Sequence, residues 1–257
     1  MGRIHLVELE DQQWFPTFLR NYGTDFLQFL SNKTKMYKPI VPLIEDALKK
    51  SGETTILDLG SGGGGGLIWL NSELKKKIPD LKIILTDYYP NIPAFENTKS
   101  VADNFEYVTE SVDARNVPTE LNGLRTQFLS LHHFKPIDAK QILQNAINSE
   151  SPIAIFEGQE RSFPSILAMI LSPVSVLLTT PFIRPFKLGR IVFTYLIPIV
   201  PLFILWDGVV SSLRTYSVKE MEKLVEDLKG KESFDWKIGK AKLGPSSILY
   251  LIGTKKA

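Results

Sequence analysis

The sequence has no cysteine among its 257 residues. Disulfides, zinc–thiolate sites, iron–sulfur clusters and cysteine nucleophiles are therefore excluded. It also lacks a strong excess of either charge, with a formal net charge of +2. The lysines at 75–77 are typical of a solvated helix end, and we find no basic face that would indicate nucleic-acid binding. We predict that the protein has no nucleic-acid partner.

A signal peptide and a phosphate-binding loop sequence are missing as well. The opening MGRIHLVELEDQQ is too acidic and too interrupted for a signal peptide, so a cytoplasmic location is the default expectation. No Gly-Lys-Ser/Thr sequence closes a phosphate loop, which argues against an ATPase or GTPase.

Short apolar runs alternate with helical stretches from residue 54 onward. Strands are predicted at 54–60, 81–87, 105–111, 125–134 and 151–158, with helices at 67–77 and 139–148. Such alternation is typical of a doubly wound parallel sheet. Residues 217–228 predict a helix with a Ser217–Glu220 capping box, and 234–243 and 246–254 predict a hairpin around a Gly-Pro turn. We therefore predict a Rossmann-like α/β fold, mostly parallel, whose last strand is antiparallel.

The composition divides the chain into three regions. Residues 1–52 carry apolar side chains at helical spacing and predict a helical cap. Residues 53–160 and 214–257 predict the α/β core. Between them, residues 161–213 predict an apolar helical insertion.

The stretch TILDLGSGGGGG, at 55–66, is the strongest local signal. A strand, a glycine-rich turn and a helix form a nucleotide-binding device, because bare backbone can approach the ligand. Asp58 precedes the glycines, and its negative charge would repel a pyrophosphate but suits a cationic ligand. S-adenosylmethionine carries both an ammonium and a sulfonium.

At these positions the sequence resembles the class I S-adenosylmethionine-dependent methyltransferases, over roughly residues 54–160 and the closing hairpin. The resemblance implies a methyltransferase with S-adenosylmethionine as its cofactor. It also implies that Asp87 accepts the ribose hydroxyls, that Tyr88 lies against adenine, and that Asp113 and Ala114 take the adenine edge. The implied cofactor-binding residues are Asp58, Gly60, Ser61, Gly62, Gly64, Asp87, Tyr88, Asp113, Ala114 and Ser130.

Two other functions remain open from the sequence. Gly60-x-Gly62-x-x-Gly65 with Asp87 also fits an NAD-dependent dehydrogenase, although Asp58, the SVDAR segment and the hairpin favour the methyltransferase. A catalytically inactive methyltransferase-fold scaffold at a membrane surface is the second alternative.

The catalytic candidates lie at predicted strand ends and in the insertion. His132 and His133 end the fourth predicted strand, so we expect at most one of them to face the pocket. Glu157 would orient the substrate or accept a proton. Asp207 is either paired with Arg214 or functional, because a charge in such an apolar segment needs a partner.

No metal site is predicted. Magnesium-dependent members of the resembled family carry acids at the end of the fourth strand, where this chain has adjacent histidines.

Aromatic residues before the core predict a lid over the cofactor or the acceptor. The candidate lid and substrate residues are Trp14, Arg20, Tyr37 and Trp206, with Tyr22 and Asp25 as further donor contacts. The alternative is that the aromatic side chains only anchor helix packing.

The insertion has two uncharged stretches, Ser162–Ile183 and Ile191–Trp206, around the basic segment RPFKLGR. Spanning a membrane is disfavoured, because prolines interrupt both stretches and the basic segment would be exported. The insertion would form a lid, dip into one leaflet with Arg184, Lys187 and Arg190 on anionic head groups, or make a helical subdomain or dimer contact. We thus expect methyl transfer to a lipophilic small molecule, with peripheral contact at the inner face of a membrane; the oligomeric state is not predicted.

Overall fold

A computed structural model of the chain describes residues 2–243 and 246–256, so the predicted Gly-Pro turn lies outside the described residues. One seven-stranded sheet forms its centre, in the order β3-β2-β1-β4-β5-β7-β6. The strands are β1 Thr55–Leu59, β2 Lys82–Thr86, β3 Phe105–Tyr107, β4 Leu124–Phe128, β5 Ile153–Glu157, β6 Phe234–Leu243 and β7 Ser246–Lys255. β7 runs antiparallel to both of its neighbours, and β1 to β5 are mutually parallel. The predicted fold class is confirmed.

Helices cover both faces of this sheet. They are α1 Thr17–Lys33, α2 Val41–Ser51, α3 Leu67–Leu74, α4 Ile92–Val101, α5 Pro136–Asn148, α6 Phe163–Ile170, α7 Ser172–Thr179, α8 Leu188–Ile191, α9 Ile199–Arg214 and α10 Val218–Glu226. Single 3-10 turns lie at Lys38–Ile40, Leu131–His133, Thr180–Phe182 and Lys231–Ser233, and a π-helical turn at Val192–Leu196. The capping box at the start of α10 is present, with Ser217 and Glu220 each accepting from the other's backbone.

Two apolar cores hold the helices against the sheet. Neighbouring residues of β1 point to opposite faces, so Ile56 joins one core and Leu57 the other. The Leu57 core includes α5 and α10, and the Ile56 core includes α2, α3 and α4. Burial on both faces explains why these strands are almost continuously apolar.

A third apolar cluster joins the N-terminal region to the insertion. Phe15, Leu19 and Phe26 pack against side chains of α7 and α9, among them Val176 and Phe203. Among the described residues no single helix has the length and apolar character needed to cross a bilayer. Two bent pairs reach that length and hydropathy together, at 163–182 and 188–214.

The fourth predicted strand is too long, and the difference matters for the site. β4 ends at Phe128, and Leu129 takes a left-handed conformation with φ of 53°. The chain then makes the 3-10 turn at Leu131–His133. The two histidines therefore lie on a turn and not on a strand, so the alternation of strand side chains does not apply to them, although only His133 lines the cavity described below. The third strand likewise ends at Tyr107, before the predicted 111.

Candidate functional site

A cavity of about 520 Å³ lies at the carboxyl ends of the parallel strands. The strand order reverses between β1 and β4, and ligands of open α/β sheets bind in the crevice at such a reversal. Its lining includes residues from the loops after β1, β2, β3 and β4. The segment before α1, residues 2–16 (here the N-terminal strap), contributes His5, Glu10 and Asp11 to the wall.

The loop Gly60–Gly66, here the donor loop, presents backbone to this cavity. Gly60 and Gly62 have φ of 75° and 55°, a region that side chains other than glycine rarely adopt. At Gly66 a Cβ would lie 2.6 Å from the Tyr37 ring, so close packing also requires glycine. Gly60, Ser61 and Gly62 line the cavity as predicted from the sequence. Gly64 does not, because it turns towards Thr98 and Gln28.

Asp58 supports the donor loop from the side that faces away from the cavity. Its carboxylate accepts hydrogen bonds from Ser61 Oγ at 2.7 Å and from Thr126 Oγ1 at 2.7 Å. The side chain is buried and does not line the cavity, so the expectation of direct contact with a cation is not met. Burial raises the pKa of Asp58 to about 7, against the two hydroxyl hydrogen bonds. Asp58 therefore holds the donor loop in place from behind the cavity wall.

Asp87 lines the cavity just after β2. Its Oδ2 accepts from the Gly62 amide at 2.7 Å and its Oδ1 from the Tyr89 amide at 2.7 Å. Each oxygen keeps a further lone pair, so the carboxylate can still accept from two hydroxyls of a ligand. Burial raises its pKa. Tyr88 is half-exposed and lies on the same wall.

The loop after β3 supplies a second carboxylate. Asp113 and Ala114 line the cavity. Arg115 donates hydrogen bonds to the Asp113 carboxylate from Nη2 at 2.8 Å and from Nε at 3.0 Å. Its Nη1 also lies 3.1 Å from Asp138 Oδ1. The hydrogen bonds from Arg115 lower the pKa of Asp113, which keeps the carboxylate ionised and able to accept a hydrogen bond.

Two polar side chains of the cavity wall have no partner within the described structure. Ser130 Oγ and both amide atoms of Gln127 are buried and unpaired. Buried polar groups without partners cost free energy, so these atoms are suited to a polar ligand. Ser130 belongs to the predicted set, and Gln127 was missed. Its signal was a lone amide inside the buried strand LRTQF.

The two histidines have different environments although their ring centroids are 4.3 Å apart. His133 lines the cavity. His132 is buried, and Glu157 holds it by accepting from its backbone amide at 3.0 Å and from Nδ1 at 2.8 Å. Glu157 is fully buried and lies outside the cavity wall, so it positions His132 and does not contact a substrate there.

The N-terminal strap brings two carboxylates to His133. His133 Nδ1 lies 2.8 Å from Asp11 Oδ1 and 2.8 Å from Glu8 Oε2. Burial disfavours the charged imidazole, but Glu8 and Asp11 outweigh it and raise the pKa of His133 well above its ordinary value. Burial opposes ionisation of Glu8 in turn, yet the charges of His133 and His132 lower its pKa to about 2. Sequence reasoning missed both acids; the run LVELEDQQ was their signal.

Asp207 and Arg214 of α9 do not pair with each other. Asp207 accepts from the Leu9 amide at 2.7 Å and from the Glu10 amide at 3.0 Å, and burial raises its pKa to about 6. Arg214 Nη1 instead contacts Asp11 Oδ2 at 2.7 Å. Asp207 thus anchors the strap, and its predicted catalytic role finds no support, because it does not line the cavity.

The predicted lid residues divide into two groups. Arg20 and Tyr37 line the cavity, and Arg20 binds the strap by donating to the Glu10 carbonyl at 2.8 Å. Trp14 and Trp206 lie outside the cavity wall. Trp14 is 70% exposed, and Trp206 donates from Nε1 to the Val7 carbonyl at 2.9 Å, so both tryptophans belong to the outer surface.

Asp25, predicted as a donor contact, ties α1 to the insertion. Its Oδ2 lies 2.6 Å from Arg190 Nη1 and 2.8 Å from Lys187 Nζ. Arg190 is buried. Arg190 is therefore not available to lipid head groups, and Lys187 is paired with Asp25, whereas Arg184 is exposed. Tyr22, the other predicted donor contact, packs beside Gly189 of the insertion.

No family model matches the sequence, and no curated protein matches it. Solved structures do resemble the fold. The plantazolicin methyltransferase BpumL, solved with SAH, aligns at a TM-score of 0.53 and 16% identity over 93% of this chain and 88% of that one. Human N-acetylserotonin methyltransferase, solved with SAM, aligns at 0.52 and 13% identity over 90% of this chain.

The match spans 56% of the human enzyme, and likewise 56% of an O-methyltransferase family protein from Burkholderia thailandensis, at 16% identity and a TM-score of 0.48. The chain therefore spans just over half the length of these two neighbours. Sheet order, the antiparallel β7 and the structural neighbours agree: the chain has the fold of the class I S-adenosylmethionine-dependent methyltransferases.

Proposed function

We propose that the protein transfers a methyl group from S-adenosylmethionine to a lipophilic small molecule that it takes up at a membrane surface. One observation carries the methyl-transfer part. A single cavity joins the donor loop and the carboxylates Asp87 and Asp113 to the wall that holds His133. Its volume of about 520 Å³ is within the usual small-molecule range of about 300–1,000 Å³.

The polar groups on the donor side fit a nucleoside with a cationic end. Asp87 can accept two ribose hydroxyls, and Asp113 can accept the adenine amino group. The unpaired Gln127 and Ser130 offer partners to the polar methionine part. A dinucleotide enzyme usually has the strand order 3-2-1-4-5-6, all parallel. The antiparallel β7 between β5 and β6 therefore disfavours the dehydrogenase alternative.

The exposed apolar surface of the insertion supports a membrane and a lipophilic acceptor. α6 and α7 both pack on α9, so their outward side chains belong to one helical unit. Large exposed apolar side chains in this unit are Phe163, Leu167, Ile170, Leu171, Val174, Leu177, Leu178, Phe182, Phe186, Leu188, Leu196, Ile197, Ile199 and Leu202. Large contiguous apolar patches on a protein surface mark contact sites with proteins or membranes. Arg184 beside it suits an anionic head group.

Methyl transfer is an in-line displacement, so alignment and exclusion of water supply most of the rate. The N-terminal strap covers the cavity beside His133, held by Asp207 and Arg214. In this proposal the strap helps to close the acceptor side, and the acceptor would meet the methyl group near His133, which lines the cavity.

Calorimetry with S-adenosylhomocysteine tests the donor site. We expect binding by the wild type and a loss of about 100-fold or more in Asp87→Ala, since hydrogen bonds to a charged group are worth about 1.5–3 kcal/mol each. Asp103→Ala is the matched control, because the Asp103 side chain is 94% exposed. Binding of NAD, without binding of S-adenosylhomocysteine, would overturn the proposal.

Labelled methyl incorporation tests the acceptor class. The protein, radioactive S-adenosylmethionine and a cell extract should yield label that partitions into organic solvent. Label in protein or nucleic acid contradicts the lipophilic acceptor. Donor binding without any turnover favours the inactive scaffold.

Flotation with vesicles that contain anionic phospholipid tests the membrane contact. The wild type should float, and Leu178→Glu with Phe182→Glu should abolish flotation. Ile137→Glu is the control, since Ile137 is equally exposed but lies on α5. If the wild type, the double variant and the control float equally, or if the wild type does not float, the insertion does not mediate membrane contact.

A further inference from the structure

Glu8, His132 and His133 place three ligand atoms within 4.8 Å of one another. Glu8 belongs to the N-terminal strap, and the two histidines belong to the turn after β4. We propose that these three residues bind a divalent transition-metal ion of the zinc class. The proposal is independent of methyl transfer, because metal binding is measured directly.

The environment of His132 carries the inference. His132 Nδ1 lies 2.8 Å from Glu157 Oε2, a hydrogen bond in which we take the ring nitrogen as the donor, so Nε2 is the nitrogen left to bind a metal. His132 Nε2 then presents a lone pair, is buried, and has no hydrogen-bond partner among the described residues. It faces Glu8 Oε1 at 3.8 Å. Two buried acceptors facing each other are unfavourable unless a cation lies between them.

Glu8 repeats the pattern from the other side. Its side chain is fully buried, and neither carboxylate oxygen accepts a well-aligned hydrogen bond in the described structure. Arg214 Nη1 lies 3.2 Å from Oε1 and His133 Nδ1 lies 2.8 Å from Oε2, but the hydrogen bonds of both nitrogens go to Asp11. Glu8 and His132 are therefore two polar groups that converge without satisfying each other.

The surroundings resemble the outer shell of a metal site. A histidine that binds a metal almost always donates its other ring N–H to a carboxylate or carbonyl, which fixes the ring. Glu157 does this for His132. Two imidazole nitrogens and one carboxylate suit Zn²⁺ or Fe²⁺ better than Mg²⁺, which prefers oxygen ligands. Asp11 Oδ1, 2.8 Å from His133 Nδ1, is available as a fourth ligand.

The charges around the site also favour a dication. Glu8, Asp11 and Glu157 are three carboxylates, and Arg214 contacts the first two as a cation. Carboxylates thus outnumber the arginine at this buried site, and a divalent ion bound among them would supply further positive charge. A proton on His133 would relieve its contacts with Glu8 and Asp11. It would leave His132 Nε2 facing Glu8.

This ion would fasten the N-terminal strap to the turn after β4, beside the cavity wall. No metal site was predicted from the sequence, because acids are missing at the end of β4. The fold instead brings the carboxylate of Glu8 to the two histidines that follow β4.

The test uses the full chain, stripped with a chelator and then titrated with Zn²⁺ and, separately, Co²⁺. We expect one equivalent of Zn²⁺ to bind, visible absorption bands from bound Co²⁺, and no competition from Mg²⁺. His132→Gln and Glu8→Gln should each weaken Zn²⁺ binding by about 100-fold or more. Glu157→Gln should weaken it by about 10–100-fold, as for other outer-shell partners.

His5→Gln is the matched control, because His5 is the remaining histidine of the chain and lies outside the three-residue group. It should bind Zn²⁺ like the wild type. Should His132→Gln fail to fold, the Co²⁺ spectrum of the wild type still decides. The proposal is overturned if the wild type shows no Co²⁺ absorption bands or does not bind one equivalent of Zn²⁺. It is also overturned if His132→Gln binds Zn²⁺ as tightly as the wild type.

Discussion

The two ends of the cavity are built in different ways. At the donor end, the loop Gly60–Gly66 and the carboxylates Asp87 and Asp113 come from successive β–α connections, and backbone amides hold Asp87 in place. At the other end, Glu8, Asp11, His132, His133 and Arg214, here the histidine cluster, join segments up to about two hundred residues apart through buried side-chain charges. A backbone site tolerates a change of neighbouring side chains, whereas a buried charge network depends on every member.

The largest effect is expected in the histidine cluster. Arg214→Met removes a buried cation that contacts Glu8 and Asp11, and leaves carboxylates unpaired; this should lower the free energy of unfolding by about 3–5 kcal/mol. Urea denaturation measures it. Arg184→Met, at a surface arginine, should change stability by less than about 0.5 kcal/mol. Equal losses in both variants would mean that the cluster is not a structural network.

The donor end should respond to pH through Asp58. Burial raises the pKa of Asp58 to about 7, whereas an unfolded aspartate titrates near 3.8. The folded state therefore binds the proton more tightly, and stability contributed by protonated Asp58 is lost as pH rises from about 4 through 7.

Asp58→Asn should remove this dependence of the free energy of unfolding on pH. Denaturation of the wild type and the variant at pH 5, 6, 7 and 8 would show it. A bound cationic donor should favour the ionised carboxylate, so its affinity should rise through the same range. A wild type and variant with parallel pH profiles would contradict the inference from burial.

A smaller effect is expected at Gln127, whose amide is buried and unpaired. Gln127→Leu should stabilise the ligand-free protein by about 1 kcal/mol, because an apolar group of similar size carries no desolvation cost. It should weaken binding of S-adenosylhomocysteine at the same time. Thermal unfolding and calorimetry on one preparation measure both; a loss of stability would show that the amide has a partner.

The smallest effect is expected at Tyr88, which is half-exposed on the cavity wall. Tyr88→Leu should lower affinity for S-adenosylhomocysteine about three- to fivefold, as for loss of one aromatic contact worth about 0.5–1.5 kcal/mol, with stability unchanged. Tyr195→Leu in the insertion controls for removal of a surface tyrosine. Equal affinity in both variants would place the adenine elsewhere.

The sequence allowed the sheet and the donor end to be predicted because their signals are local. Apolar runs alternate with helices, and the glycines with Asp58 and Asp87 occupy strand ends, where the topology brings them together. The position of Asp58 was not predicted: two hydroxyl partners, Ser61 and Thr126, hold its carboxylate behind the loop. Thr126 is 68 residues from Asp58, and a pairing over that separation leaves no pattern in the sequence.

The histidine cluster could not be predicted for a related reason. The left-handed Leu129 ends β4 early and puts both histidines on one turn. Asp207 was matched with Arg214 from their proximity in the chain, yet the helix turns Asp207 towards the strap amides and Arg214 towards Asp11. Long-range pairing of buried charges depends on which surfaces meet, and that follows from packing.

The sequence by itself determined the α/β alternation, the glycine-rich turn and the uncharged insertion, because strand, turn and helix preferences act within a few residues. Tertiary structure decided which charges meet. It placed residue 8 against residues 132 and 133, and paired Asp25 with Arg190. The physical reason is burial: a charge removed from water must find a partner wherever the packed fold supplies one.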